Sequence, residues 1–268
     1  MGAFDLEAPN WGRIPPVVVT ADPVVQPDGS VAIPTEAGIL RVALLETGVR
    51  LRLGPDARDY GIMVREPAPL SVHVEAIEGG TRIVAGERVL EIGHEPLSFS
   101  LTVSGRAVQS SPGDGHFVRR FRLPPFARFG DGWLVSLELG HDTPVYGLGE
   151  KWGRLDRRGQ LVRSYNHDAL GVNAEVSYKN APFAWSPEGW GVFVHTVAPV
   201  VHGVGYAPWS QRAYVLKLDS PSLDLFVLDG SSGAQVLGQY TALTGRAPVP
   251  PLWSLGLILS KAYYRTAE

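Results

Sequence analysis

None of the 268 residues is a cysteine, which excludes disulfides, thiolate metal sites and a cysteine nucleophile and suits a reducing compartment. Lysine is scarce as well: four stand beside twenty arginines, all scattered, and the net charge is −3. No basic stripe offers itself to a phosphate backbone, so a nucleic-acid partner is not expected. Long hydrophobic runs are missing too, since charged residues break every apolar stretch well short of the roughly 20 residues a membrane helix needs. No membrane partner is expected either. Met1 to Arg13 carries Asp5 and Glu7 and no apolar core after a basic start, so it does not read as a secretory signal. A cytoplasmic protein is expected.

What the chain has in quantity is turn residues and short apolar runs. Its 31 glycines and 22 prolines make about a fifth of the residues, without the period of collagen or the polarity of disorder. Such punctuation favours an all-β architecture over α/β. In Val49-Arg50-Leu51-Arg52-Leu53 apolar and charged residues alternate, which assigns three side chains to a core face and two arginines to solvent. Ile39 to Leu45 precedes it, with Glu46-Thr47-Gly48 as the turn of a hairpin. Val72 with Val74, Ile83, Val89 with Ile92, and Leu97 to Val103 continue the pattern, broken at Gly79-Gly80, Gly86 and Gly93. Ser110 to Gly115 and Arg128 to Gly132 read as exposed loops. Trp133 to Leu139, Trp190 to Val201 and Tyr214 to Leu228 supply further strands. A sandwich of antiparallel sheets is the simplest packing for these pieces.

One helix stands out. From Ser232 as N-cap, Val236, Leu237, Tyr240 and Leu243 fall at helical spacing, and Gly245 followed by Pro248, Pro250 and Pro251 marks the stop. Beyond it Trp253 to Ser260 is almost continuously apolar, the pattern of a strand buried on both faces of a parallel sheet. Nothing earlier resembles it. The division expected is a β-sandwich domain over 1–231, a helical connection over 232–250 and the start of a different unit over 251–268.

Four tracts carry the functional information: Val145-Tyr146-Gly147-Leu148-Gly149-Glu150-Lys151-Trp152-Gly153, Asn166-His167-Asp168, Tyr178-Lys179-Asn180-Ala181-Pro182-Phe183 and Tyr240-Thr241-Ala242-Leu243-Thr244-Gly245-Arg246. In this order they resemble glycoside hydrolase family 31, in particular its α-xylosidase and α-glucosidase-like members. The resemblance implies a galactose-mutarotase-like β-sandwich, or supersandwich, followed in a complete enzyme by a (β/α)₈ barrel. It implies retaining hydrolysis of terminal α-xylosides or α-glucosides by two barrel aspartates, through a covalent glycosyl-enzyme intermediate. Both aspartates follow the first barrel strand, and Trp253 to Ser260 matches that strand and ends eight residues before Glu268. The expectation is therefore a truncated barrel, no catalytic residue in this chain and no hydrolysis by it alone, because barrel sites are assembled from the ends of several strands.

The resemblance places two substrate-binding residues here. Asp168 falls where a loop of the amino-terminal domain presents an aspartate to sugar hydroxyls, a task suited to a carboxylate because charge-assisted hydrogen bonds are strong. Tyr263 matches an aromatic position lining the sugar subsite, with Tyr264 the weaker neighbour. The plainer readings are a turn aspartate and a core or tail aromatic. The partner expected is an α-linked oligosaccharide or glycoside, and no cofactor or metal is expected. His195 and His202 lack the spacing of a metal motif. Glu150 and Lys151 are expected to bond within the glycine-rich turn, and Lys179 and Asn180 to fix a loop against the barrel through backbone bonds. Trp152, Trp185 and Trp209 could stack sugar, though tryptophan more often packs cores.

Two other functions fit the same features. A free-standing carbohydrate-binding module would need a closed cleft around Asp168. A mutarotase-type epimerase would need a paired His and Glu, and the sequence names no such pair. An uncovered apolar run over 255–259 also invites pairing with a second copy of the chain, so self-association or disorder past about residue 252 is expected.

Overall fold

The computed structural model describes residues 14–56, 59–113, 117–118, 121–168 and 177–259. It is mainly β, as the turn-rich composition predicts. The largest sheet has eight antiparallel strands in the order Val24–Val25, Val31–Thr35, Gly38–Leu45, Gly48–Leu53, Leu223–Asp229, Trp190–Val194, Phe183–Ser186 and Tyr146–Gly147. A second sheet has five strands, Phe126–Phe129, Gly132–Glu138, Ala213–Leu218, Val200–Val204 and Gln160–Ser164. A third is a meander of five consecutive strands from His73–Ile77 to Arg106–Ser110. A small hairpin pairs Phe117–Val118 with Phe121–Arg122.

One apolar core draws on all three large sheets. Val49, Leu51 and Leu225 come from the first, Trp133 and Leu216 from the second, and Leu90, Phe99 and Leu101 from the meander. Alternation along each strand sends these side chains inward together. The expected hairpin forms, with Glu46 and Thr47 as its turn and Leu44 opposite Val49. Gly48 is there because the neighbouring strand comes so near: a Cβ at that position, where φ is +140°, would sit 1.9 Å from the Val227 carbonyl oxygen.

The two arginines of that strand do not both face solvent. Gly48–Leu53 lies fourth in an eight-strand sheet, and the sheet's outer face is itself covered, so Arg50 is only 6% exposed. Its guanidinium donates to both carboxylate oxygens of Asp224, Nε to Oδ1 and Nη2 to Oδ2 at 2.7 Å each, and also to Glu66. Asp224 takes a further 2.9 Å bond from His195 Nδ1, and the Arg50 guanidinium lies 4.7 Å from the centroid of the Phe226 ring. Burial opposes the charge on both partners. Burial is the largest single influence, but the hydrogen bonds and charge attraction between the two, with those of His195 and Glu66, together outweigh it, holding the Asp224 carboxyl below its ordinary range and raising the Arg50 guanidinium above its own.

The helix forms over Gly233–Thr244, capped as expected by Ser232, whose hydroxyl accepts from the Gln235 N–H at 3.3 Å. Val236 and Leu243 bury against Ala43, Phe193 and Phe226 on the outer face of the large sheet, whereas Leu237 is 42% exposed. Three sequence expectations are corrected. Gly93 is no break but lies inside the strand Arg88–His94. Arg128 to Gly132 is the tight end of a hairpin, with Phe129 opposite Gly132. The strand expected over Trp253 to Ser260 is not formed among the described residues: Leu252–Leu255 is a short 3₁₀ turn, and Leu257 to Leu259 belong to no sheet. A continuous apolar run needs a ladder partner for its backbone groups, and none of the described residues pairs with it, so local i→i+3 bonds form at Ser254 and Gly256.

The Arg50–Asp224 pair yields a first expectation. Arg50→Met leaves a buried carboxylate without its cation and should cost about 3–5 kcal/mol in urea unfolding. Arg50→Met combined with Asp224→Leu should cost less than Arg50→Met alone; equal or greater loss in the double variant would count against a coupled pair.

Candidate functional site

The glycine-rich tract runs along the outermost strand of the large sheet. Tyr146 and Gly147 pair with Trp185 and Ala184, and the ladder continues as Leu148 N–H bonds Phe183 O at 2.9 Å and Glu150 N–H bonds Lys179 O at 2.8 Å. Gly149 is required by this contact. Its φ is +80°, and a Cβ there would lie 2.4 Å from Lys179 O and 2.8 Å from Ala181 N. Leu148 is also left-handed, at φ +67°, and the strain is held because its side chain is fully buried in the main core. Beneath the turn Arg157, 3% exposed, donates to the carbonyls of Gly147 at 3.3 Å and Arg154 at 2.9 Å, and burial lowers its pKa.

The second and third tracts close the base of one loop. Asn166 bridges Ser177, and His167 N–H bonds Ser177 O at 3.1 Å. Asn180 fastens both arms: its Nδ2 donates to Tyr165 O at 2.9 Å, Asn166 Oδ1 at 2.8 Å and Ser177 O at 3.0 Å, and its N–H donates to Asn166 Oδ1 at 3.1 Å. These bonds close the loop on itself, whereas the sequence suggests that Asn180 fixes a loop against a barrel. Asp168 stands exposed above that base, and its Oδ1 accepts from the Tyr178 hydroxyl at 2.7 Å. Tyr178 belongs to a quoted tract, yet nothing in the sequence marks it as the partner of Asp168, ten residues away. Tyr263 lies outside the described residues.

Glu150 and Lys151 do not bond within their own turn as the sequence suggests. They point to opposite sides of the extended chain and find partners on the return arm: Glu150 accepts from Lys179 Nζ at 3.2 Å, and Lys151 Nζ reaches Asn180 Oδ1, Arg163 O and, at 3.4 Å, Ser177 Oγ. The fourth tract joins from behind, where Tyr240 of the helix stacks on Phe183 at 3.9 Å between centroids and 1° between planes. The tryptophans do not form a common platform. Trp209 is fully buried in the second sheet's outer cluster, Trp185 packs on Tyr146 and under Gly233, and Trp152 alone is open, 61% exposed.

His202 is fully buried on the strand Val200–Val204, with Nδ1 2.7 Å from the Tyr214 hydroxyl. Burial, aided by the charge of Lys151, depresses it to about 3, and burial raises Tyr214. A cleft of about 640 Å³ lies elsewhere, at one end of the meander, lined by Glu91, His94, Ser98, Ser110 and Glu138 among others. No residue of the four tracts lines it, so a cavity by itself does not locate the site here. Among the described residues no three histidine or carboxylate side chains converge as metal ligands would.

The sequence profile of the glycosyl hydrolase 31 N-terminal galactose mutarotase-like domain matches residues 31–201 of this three-sheet β-fold. The chain belongs to that family. It is 36% identical over 128 residues to the α-xylosidase XylQ of Lactiplantibacillus pentosus, covering 48% of this chain and 16% of the relative. It is 31% identical over 172 residues to an α-xylosidase of Emericella nidulans, covering 64% and 20%. In fold it is similar to the Flavobacterium johnsoniae GH31 dextranase solved with glucose, at TM-score 0.74 and 19% identity over 89% of this chain and 29% of that one. The aligned part thus spans a fifth or less of the length of these curated relatives.

Two measurements probe this geometry. Gly149→Ala should destabilise the chain by about 1–3 kcal/mol, since strain and backbone contact act together. His202 should make stability pH-dependent. Unfolded, it takes a proton near 6.5, and folded only near 3, so its contribution is complete above 6.5, falls by up to ~1.4 kcal/mol per pH unit on acidification, and levels off below 3. The slope of unfolding free energy between pH 6 and 4 should be shallower by up to that amount in His202→Gln; an unchanged slope would show that another group carries it.

Proposed function

We propose that this chain is the non-catalytic amino-terminal domain of a retaining α-glycosidase acting on terminal α-xylosides or α-glucosides. Its work is to buttress a catalytic barrel and to lend one lip of the substrate site. The observation that carries the reading is the loop base at Asn166, Ser177 and Asn180, which holds Asp168 exposed with one oxygen already oriented by Tyr178. A carboxylate has lone pairs to spare after one such bond, so Asp168 can accept further bonds from sugar hydroxyls. Tyr263, by the same family resemblance, would add a ring face to the sugar subsite.

The apolar segment after the helix supports the buttressing half of this reading. Leu252, Trp253, Leu257 and Leu259 are each more than 80% exposed, a density of open hydrophobic side chains that marks a surface awaiting cover. In the relatives about four-fifths of the chain lies outside the aligned part, ample to supply that cover.

Highly purified chain should release no aryl group from 4-nitrophenyl α-xyloside or α-glucoside; turnover abolished by a substitution within the chain would overturn the non-catalytic assignment. Fusion in frame to the remainder of the Lactiplantibacillus pentosus α-xylosidase should give a hydrolase in which Asp168→Asn lowers kcat/KM about tenfold or more, the loss expected for a charge-assisted bond. An active fusion indifferent to Asp168→Asn would remove the residue from the site.

A further inference from the structure

We propose that Lys151 is a positioning residue, whose ammonium ties the glycine-rich turn to both arms of the loop that carries Asp168. The proposal rests on the reading of Asp168 as a sugar contact and adds to it the element that holds that contact in place.

Three features of the structure lead there. An ammonium has three donors and no acceptor, and among the described residues Lys151 Nζ meets oxygens from three places: Arg163 O at the end of the strand Gln160–Ser164, Ser177 Oγ on the returning arm, and Asn180 Oδ1 beyond it. Asn180 is thereby oriented. Its Oδ1 accepts from Lys151 and, at 3.3 Å, from Ser177 Oγ, while its Nδ2 points to Tyr165 O, Asn166 Oδ1 and Ser177 O, the groups that close the loop base. Asp168 and Tyr178, the residues next along each arm, then come within 2.7 Å of one another. The carbonyls of Tyr165 and Ser177 can only accept and so fix the donor end of the amide, and the ammonium, which can bond only the oxygen, anchors the other end.

Lys151 itself is held by the turn. Glu150 N–H and Leu148 N–H are tied to Lys179 O and Phe183 O, and Gly149 admits the return strand so closely that the lysine stem starts from a fixed point. The glycine-rich tract therefore has a task that its glycines alone do not explain: it aims one cation at one amide.

Hydrogen–deuterium exchange on the complete 268-residue chain tests this. Lys151→Met should lower the protection of the His167 and Asn180 amides about tenfold or more while leaving Phe193 and Val215 in the core unchanged. Lys151→Arg, which keeps the cation, should restore most of it. Asn180→Ala should expose the His167 amide as much as Lys151→Met does, and the double variant should expose it no further, because the two act as one unit. Asp168→Asn should leave exchange as it is. Unchanged protection in Lys151→Met, or a loss shared equally by the core amides, would overturn the positioning role. If Lys151→Met does not fold, Lys151→Arg and Asn180→Ala still decide: an unaltered His167 amide in Asn180→Ala refutes the tie. These results stand apart from the sugar-contact reading, which the fused enzyme carrying Asp168→Asn tests by itself.

Discussion

Everything in this fold hangs on one antiparallel contact between distant parts of the chain, the pairing of Gly48–Leu53 with Leu223–Asp229. It joins the opening hairpins of the large sheet to its closing ones, and only with that seam complete is there a continuous surface on which the helix can lie. Two devices secure it. Gly48 lets the backbones approach where any side chain would collide with Val227 O, and Arg50 grips Asp224 with two bonds across 174 residues of sequence. A buried ion pair adds little net stability against an apolar pair of the same size, but a slipped register would leave two charges buried apart, and that alternative is costly. The pair thus acts chiefly to specify the register.

The candidate site inherits its geometry from the far edge of the same sheet. Phe183 is the pivot: its carbonyl bonds Leu148, its ring stacks on Tyr240 of the helix, and its strand continues back to Lys179 and Asn180. The four tracts that identify the family are therefore parts of one assembly. Its glycines permit close backbone approach, its aromatics fill the space behind, and its polar residues close the loop base beneath Asp168.

Much of the fold was legible in the sequence because its causes are local. Period-two alternation, two-residue turns and the Ser232 cap can each be read within a few residues, and Leu97 to Val103 or Gly233 to Thr244 follow from them directly. The reading failed where burial depended on what covers a face. Arg50 looks like a solvent residue until the outer side of its strand is found beneath other chain, and Trp253 to Leu259 looks like a strand although none of the described residues pairs with it. Of the candidate site, Asp168 was singled out through the resemblance to a family, while the bonds by which Asn180 closes its own loop base were not specified by it. The partnership of Lys151 with Asn180 was not either, because a lysine in a turn has no sequence signal that names an acceptor twenty-nine residues away.

By itself the sequence determined the class of fold, the places of its turns and helix and, through four ordered tracts, the family, since these follow from local backbone preference and from motif identity. Only the tertiary structure decided which polar side chains are buried, which glycines are indispensable and which residues hold the Asp168 loop. Those outcomes depend on distances between segments far apart in the chain, and such distances exist only once the sheets have closed.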